Sequence, residues 1–174
     1  MAEKEMTSLL FVCMGNICRS PTAEGVMRKL AMDAGLQDHV RIDSCGTHDY
    51  HVGAPPDPRA QEAASRRGYD LAALRARQIA EADFEEFDLI LAMDTNNLGL
   101  LRCMCPHKHR SKVRLLMNYA SECKSAVVPD PYYRKAADFE MTLDYIESAC
   151  RGLVKVLSHN SNMTMNQGFD VRWR

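Results

Sequence analysis

The sequence predicts an α/β protein: one domain built on a parallel sheet with helices on both faces. Three observations carry this. Short, continuously apolar runs alternate with segments of helical period along most of the chain. The runs are apolar at successive positions rather than at every second one, as strands buried on both faces are. The first run ends in a loop containing glycine and asparagine that opens straight into a helical pattern, as a strand-to-helix crossover does. A chain of 174 residues suits one domain with a full core. No repeat, low-complexity linker or compositional break divides it.

The elements follow in order. Ser8–Cys13 reads as a buried strand. Pro21 fits the first turn of a helix. Ala23, Val26, Met27, Leu30, Ala31 and Ala34 mark that helix's apolar face, and Gly35 its C-cap. Val40–Cys45 is the second strand, closed by Gly46. The stretch from Thr47 to Pro56 holds too many turn formers for regular structure and is read as a loop. Asp57-Pro58 is an N-cap followed by a first-turn proline, so a helix is expected over Pro58–Arg67, stopped by Gly68. Phe87–Met93 is the third strand, and Asp94 caps a helix to about Cys103. Lys112–Tyr119, with Val113, Leu115 and Met117 alternating, is the fourth. Phe139, Leu143, Ile146, Cys150, Leu153, Val154 and Leu157 mark a long amphipathic helix. From Ser158 to Arg174 the periodicity is lost, and a mobile tail is expected.

Composition narrows the function. A net charge of −1 with 26% charged residues excludes a general binder of nucleic acid or of anionic membranes. The one basic cluster, His107-Lys108-His109-Arg110-Ser111-Lys112, reads as a solvated loop. The apolar run Leu9–Val12 is far too short to cross a bilayer, so no membrane insertion is expected. Seven cysteines are an odd number without framework spacing. With no signal peptide, they point to reduced thiols in a cytoplasm.

The chemistry concentrates in Cys13-Met14-Gly15-Asn16-Ile17-Cys18-Arg19-Ser20-Pro21. Strand, loop and helix N-terminus in succession make an anion site, since loop N–H groups and the helix dipole both favour negative charge. Gly15 and Asn16 tolerate the left-handed backbone of such a cradle. Arg19 brings a planar two-pronged donor that fits a tetrahedral oxyanion. Cys13 lies at the floor, where an anion-binding loop also favours a thiolate. A nucleophilic sulfur beneath a bound phosphate is the ingredient for phosphoryl transfer through a thiophosphate. Ser20 has a hydroxyl to donate to that sulfur. A proton donor for the departing oxygen is the remaining need, and Asp130 in Pro129-Asp130-Pro131-Tyr132-Tyr133 is the candidate, stiffened by two prolines and followed by two aromatics. No cofactor or metal is called for. Cys103 and Cys105, followed closely by His107 and His109, make a poor tetrahedral chelate.

These two segments resemble the phosphate loop and the general-acid loop of the low-molecular-weight protein tyrosine phosphatases. The similarity runs over roughly residues 7–157, through Arg41-Ile42-Asp43-Ser44, Gly53-Ala54-Pro55-Pro56-Asp57, Ala76-Arg77-Gln78-Ile79 and Leu91-Ala92-Met93-Asp94. It implies a flavodoxin-like sheet of four strands in the order 2-1-3-4. It implies hydrolysis of phosphotyrosine and aryl phosphate esters, with Cys13 as nucleophile, Arg19 as phosphate clamp and Asp130 as general acid and base. The loop Met14, Gly15, Asn16, Ile17, Cys18 and Ser20 would bind phosphate, Ser44 would support Asn16, and Tyr50, Tyr132 and Tyr133 would form the rim that grips the substrate ring. The partners implied are phosphotyrosine-containing proteins: a tyrosine kinase system, or host proteins if the chain is a secreted effector.

One departure stands out. The family's histidine that braces the loop asparagine is matched here by Leu74, which donates no hydrogen bond, so Asn16 is expected to lack a prop and activity to be reduced. Cys18 offers a partner to trap an oxidised Cys13 as a disulfide. Two other readings stay open. An arsenate reductase on the same fold would need further cysteines, typically one at the end of the third strand, where Met93-Asp94 stands. A non-catalytic phosphotyrosine-binding relative is favoured by Leu74 alone.

Overall fold

The computed structural model describes residues 6–164, with side chains described to residue 159. Its centre is β1 (Thr7–Cys13), in which Leu9, Leu10, Phe11 and Val12 have no exposed surface. Successive side chains of a strand point to opposite faces, and the two faces here feed two cores. Leu9 and Phe11 join one, with Val26, Met27, Leu143, Ile146 and Leu153. Leu10 and Val12 join the other, with Phe84, Phe87, Ile90 and Leu101. Hence the run is apolar throughout instead of alternating. Each such side chain, taken fully out of water, contributes about 1.5–3 kcal/mol.

β1 is flanked by β2 (Val40–Gly46) and β3 (Leu89–Ala92), and β3 carries β4 (Val113–Leu115) at the edge. All pairings are parallel, and the order is β2-β1-β3-β4. Cys13 pairs with Gly46 and Val12 with Ala92, so the strands end together at one edge. Helices α1 (Arg19–Asp33), α2 (Pro58–Arg66) and α5 (Ala136–Thr164) cover the first core. The short α3 (Asp83–Glu86) and α4 (Thr95–Met104) cover the second. The sheet order, the single domain and the two helical layers agree with the expectation from sequence.

The differences have local causes. The fourth strand stops at Leu115, and Leu116–Tyr119 turns as a 3-10 helix. Leu116 and Met117 are both buried, which an alternating strand cannot provide. The curl brings Tyr119 against α5, where a Cβ on Gly152 would lie 1.8 Å from the Tyr119 carbonyl oxygen. The basic run His107–Lys112 is a 3-10 helix rather than a loop. Lys112 Nζ donates to the carbonyls of Phe84 and Glu85 at the end of α3. The last helix continues past Leu157 to Thr164, where a tail was expected from Ser158. Once a helix is anchored, each further residue adds a backbone hydrogen bond at little cost, so polar composition alone does not end it. The rest of that expected tail, 165–174, lies outside the described residues.

Candidate active site

The C-terminal edge of the sheet, the usual ligand side of an open α/β fold, gathers three loops. The first runs from Cys13 into α1. Its shape depends on Asn16, whose φ of 54° is the one positive value at a described non-glycine residue; asparagine is among the few residues that tolerate this. The Asn16 side chain locks the turn. Its Nδ2 donates to Ser20 Oγ (2.8 Å) and Ser44 Oγ (2.9 Å), and its Oδ1 accepts from the Arg77 backbone N–H (2.9 Å). Both amide hydrogens are used and the amide is 2% exposed. The prop expected to be missing at Leu74 is therefore supplied by other groups, of which the sequence showed only Ser44; Ser20 and the Arg77 backbone are the two it did not. Leu74 itself is half-buried.

Gly46 closes the floor. A Cβ there would meet the Met14 carbonyl at 2.6 Å and the Asn16 nitrogen at 3.2 Å, so only glycine lets β2 pass this close. The second loop is tied to the first by backbone: Thr47 and His48 donate to the carbonyls of Cys13 and Met14. A Cβ on Gly15 would lie 2.9 Å from the His51 ring. His51 thus packs on the cradle and also faces Tyr132, with ring centres 6.4 Å apart. Nothing in its Gly/Pro-rich surroundings distinguishes His51 in the sequence.

Cys13 is 3% exposed, with its sulfur 3.0 Å from Ser20 Oγ. Arg19 is equally buried and is held by three partners. Its Nη1 donates to Asp94 Oδ2 (2.6 Å) and the Val128 carbonyl (3.1 Å), while Nη2 reaches Asp130 Oδ2 (3.4 Å). Burial acts to lower the Arg19 pKa, but Cys13, the Asp94 hydrogen bond and Asp130 outweigh it, and the value stands above the usual guanidinium range. The side chain is therefore a fixed positive charge beside the sulfur. In the sequence Asp94 marks only a helix cap. It does cap α4, accepting from Asn97 N–H, but its other oxygen fixes Arg19.

The third loop carries Asp130. It is moored by Val128 N–H to the Met93 carbonyl (2.8 Å) and by Thr142 Oγ1 on α5 to the Pro129 carbonyl (3.2 Å). The Asp130 side chain is 48% exposed, with Oδ1 accepting from Tyr132 N–H. A carboxylate on the solvent side and a thiol on the buried side thus lie to either side of one arginine. Around the opening, Tyr50 stacks on His48 (5.0 Å, 16°), and Tyr132 meets Tyr133 edge-on (4.8 Å) and lies under the Arg59 guanidinium (5.6 Å). Tyr133 is 94% exposed.

Cys18 is buried within the loop. Burial first, then the charges of Asp57 and Cys13, push its thiol far above the ordinary range. Among the described residues no group of three or more His, Cys, Asp or Glu side chains is placed to hold a metal ion. No described helix is long and apolar enough to cross a membrane.

A buried cysteine and arginine at the mouth of a strand-loop-helix turn, faced by an aspartate, define a class of protein that handles tetrahedral oxyanions with a thiol. Comparison with known proteins narrows this. The family model "Low molecular weight phosphotyrosine protein phosphatase" matches residues 8–163, and the chain belongs to that family. The low molecular weight protein-tyrosine-phosphatase YfkJ of Bacillus subtilis is 42% identical over 149 residues, 86% of this chain and 94% of its own. The human low molecular weight phosphotyrosine protein phosphatase is 41% identical over 157 residues, 89% of this chain and 98% of its own. A crystal structure of protein tyrosine phosphatase from Entamoeba histolytica, with Hepes in its active site, superposes with a TM-score of 0.86 at 38% identity, covering 88% of this chain and 98% of that one.

Proposed function

We propose that the protein hydrolyses phosphotyrosine in proteins, and aryl phosphates generally, through a cysteinyl-phosphate. The Cys13 thiolate attacks phosphorus, forming the S–P bond as the P–O bond to the aryl group breaks. Asp130, protonated, gives its proton to the departing phenolic oxygen. The resulting carboxylate then takes a proton from water, whose oxygen attacks phosphorus. Inorganic phosphate leaves, and the pair of electrons of the S–P bond returns to sulfur. Arg19 and the loop from Met14 to Ser20 hold the equatorial oxygens, and the Ser20 hydroxyl donates to sulfur both as nucleophile and as leaving group. The work is positioning and charge stabilisation of a loose transition state. Tyr50 and Tyr132 grip the substrate ring, and Tyr133 backs Tyr132. The buried position of Cys13 favours the long aryl ester over the shorter phosphoserine.

The observation that carries the reading is the Arg19 bridge: one buried guanidinium is held beside the Cys13 loop and reaches the Asp130 carboxylate. The test is turnover of a phosphotyrosine peptide panel. Cys13→Ser is expected to abolish turnover while retaining substrate, so that it traps phosphotyrosine proteins from a lysate, a tyrosine kinase or host proteins among them. Asp130→Ala is expected to slow cleavage of a poor leaving group ~10²–10⁴-fold; near-parental rates would remove Asp130 from the acid role.

Cys18 serves as a guard in the same scheme. Peroxide converts the Cys13 thiolate to a sulfenic acid. The Cys18 thiol displaces water from it to form a disulfide, and an added dithiol reduces this back. Such a guard belongs to a reducing compartment such as the cytoplasm. A Cys18→Ser variant that recovered from mild peroxide as fully as the parent would exclude it.

A further inference from the structure

Behind the phosphate loop lies a buried carboxylate that the chemistry above does not use. Glu24 sits on α1 one turn beyond Ser20, 3% exposed. Its Oε2 accepts from Ser44 Oγ at 2.6 Å. Its Oε1 accepts from two nitrogens of Arg28, Nε (3.0 Å) and Nη2 (2.7 Å), and Nη2 also donates to the Ile42 carbonyl on β2 (2.7 Å). The arginine is thus fixed between its own helix and the neighbouring strand, with its side chain 54% exposed.

The direction of the hydrogen bonds follows from which groups hold protons. An ionised carboxylate only accepts, so the single Ser44 proton goes to Glu24. The Ser44 oxygen is then left to accept from Asn16 Nδ2. At the other end of the amide, Asn16 Oδ1 is held by the Arg77 N–H. With both ends fixed, the second Nδ2 hydrogen goes to Ser20 Oγ. Ser20 accepts there, and its own hydrogen is free for the Cys13 sulfur 3.0 Å away; the Cys45 carbonyl, at 3.3 Å, is the more distant acceptor.

The geometry points to Arg28 as a positioning residue: through Glu24, Ser44 and Asn16 it aims the Ser20 hydroxyl at the sulfur of Cys13. Without its countercharge a buried carboxylate is costly. It is relieved by turning toward water on the side that Arg28 vacates, away from Ser44. The Ser44 oxygen no longer has to face Asn16, and the chain loses its single direction. The inference rests on the thiol chemistry proposed above, but its test needs no turnover.

The test reads alkylation of Cys13 by iodoacetamide across pH, by mass spectrometry of the Cys13 peptide, in the full chain. A thiolate that loses a donated hydrogen bond forms at higher pH. The charges that face the sulfur, Arg19 with Asp94 and Asp130, are kept in every variant. Arg28→Met and Ser20→Ala are each expected to move the profile to higher pH. Reactivity at the parent's half-maximal pH should fall about fivefold, corresponding to a displacement of about one pH unit. Arg28→Lys should recover most of the Arg28→Met loss. The double variant should move no further than Ser20→Ala alone. Along α1 the two residues are about 12 Å apart, a separation at which unconnected effects add. A parental profile in Arg28→Met, or a double variant whose displacement is the sum of the two singles, overturns the inference. If Arg28→Met does not fold, Glu24→Gln in the same cycle gives the same reading. Loss of turnover in the parent would remove the phosphatase reading and leave the coupling intact.

Discussion

At the scale of single residues, the site depends on small groups that permit close approach as much as on those that react. Gly46 is the clearest case, since each atom that an added Cβ would meet there belongs to the backbone of Met14, Asn16 or His48. Gly46→Ala is expected to displace the phosphate loop, lowering kcat/KM for an aryl phosphate ~10²-fold and stability by about 1–3 kcal/mol. Steady-state kinetics and denaturant unfolding read the two effects separately. Parental kinetics in that variant would mean that the loop is not held from below. At the same scale, Asp94 and Asn16 carry no reactive atom. Their side chains instead determine where the Arg19 charge and the loop backbone stand.

At the scale of elements, the helix termini show what the sequence makes visible. Asp57 begins α2 as expected, its side chain accepting from Arg59 N–H. It also takes two bonds from the Arg59 guanidinium. The Arg59 hydrogen bond is the main cause that holds the Asp57 carboxyl below its ordinary value of 3.8. A lowered folded value means that the ionised form favours folding. Its contribution is complete above the unfolded value and is lost as pH falls below about 3.8 and through the folded one. Asp57→Ala should cost about 1 kcal/mol near neutral pH. The difference from the parent should narrow as the pH is taken down through the carboxylate range, which thermal unfolding at a series of pH values measures. α5 presents the opposite case. Gly152 marks no turn and sits inside a helix, yet it is where the helix rides on the Tyr119 carbonyl. Gly152→Ala therefore should destabilise the fold, by about 1–3 kcal/mol or more, although alanine is the better helix former. A more stable protein would mean that α5 does not pack this closely.

At the scale of the whole molecule, the site couples to global stability, because the loops that would hold phosphate come from β1, β2 and β3 as well as α1. A ligand bound only by the folded state stabilises by mass action. Inorganic phosphate at about 100 times its Kd should add about 2.7 kcal/mol, a rise in Tm of roughly 5–10 °C for a chain of this size. Arg19→Ala should remove most of that rise. An undiminished phosphate effect in this variant would place the anion elsewhere.

What the sequence by itself determined is what is written in neighbouring residues. β1 announces itself by an unbroken apolar run, α2 by Asp57-Pro58, and the family's phosphate-loop pattern by Cys13 and Arg19 six positions apart, with Asp130 framed by two prolines. Backbone preference, burial pattern and the spacing of reactive groups are local properties, and they survive without a structure. The tertiary structure decided what depends on distant partners. Asp94 on Arg19, the Arg77 N–H on Asn16 and Thr142 on the Asp130 loop join residues 75, 61 and 13 positions apart. The end of the fourth strand depended on α5 passing beneath it. Leu74 is the sharpest example. The sequence shows a donor missing at that position, whereas the fold shows the Asn16 side chain already satisfied, because a hydrogen bond constrains where its partner lies in space and not which residue number supplies it.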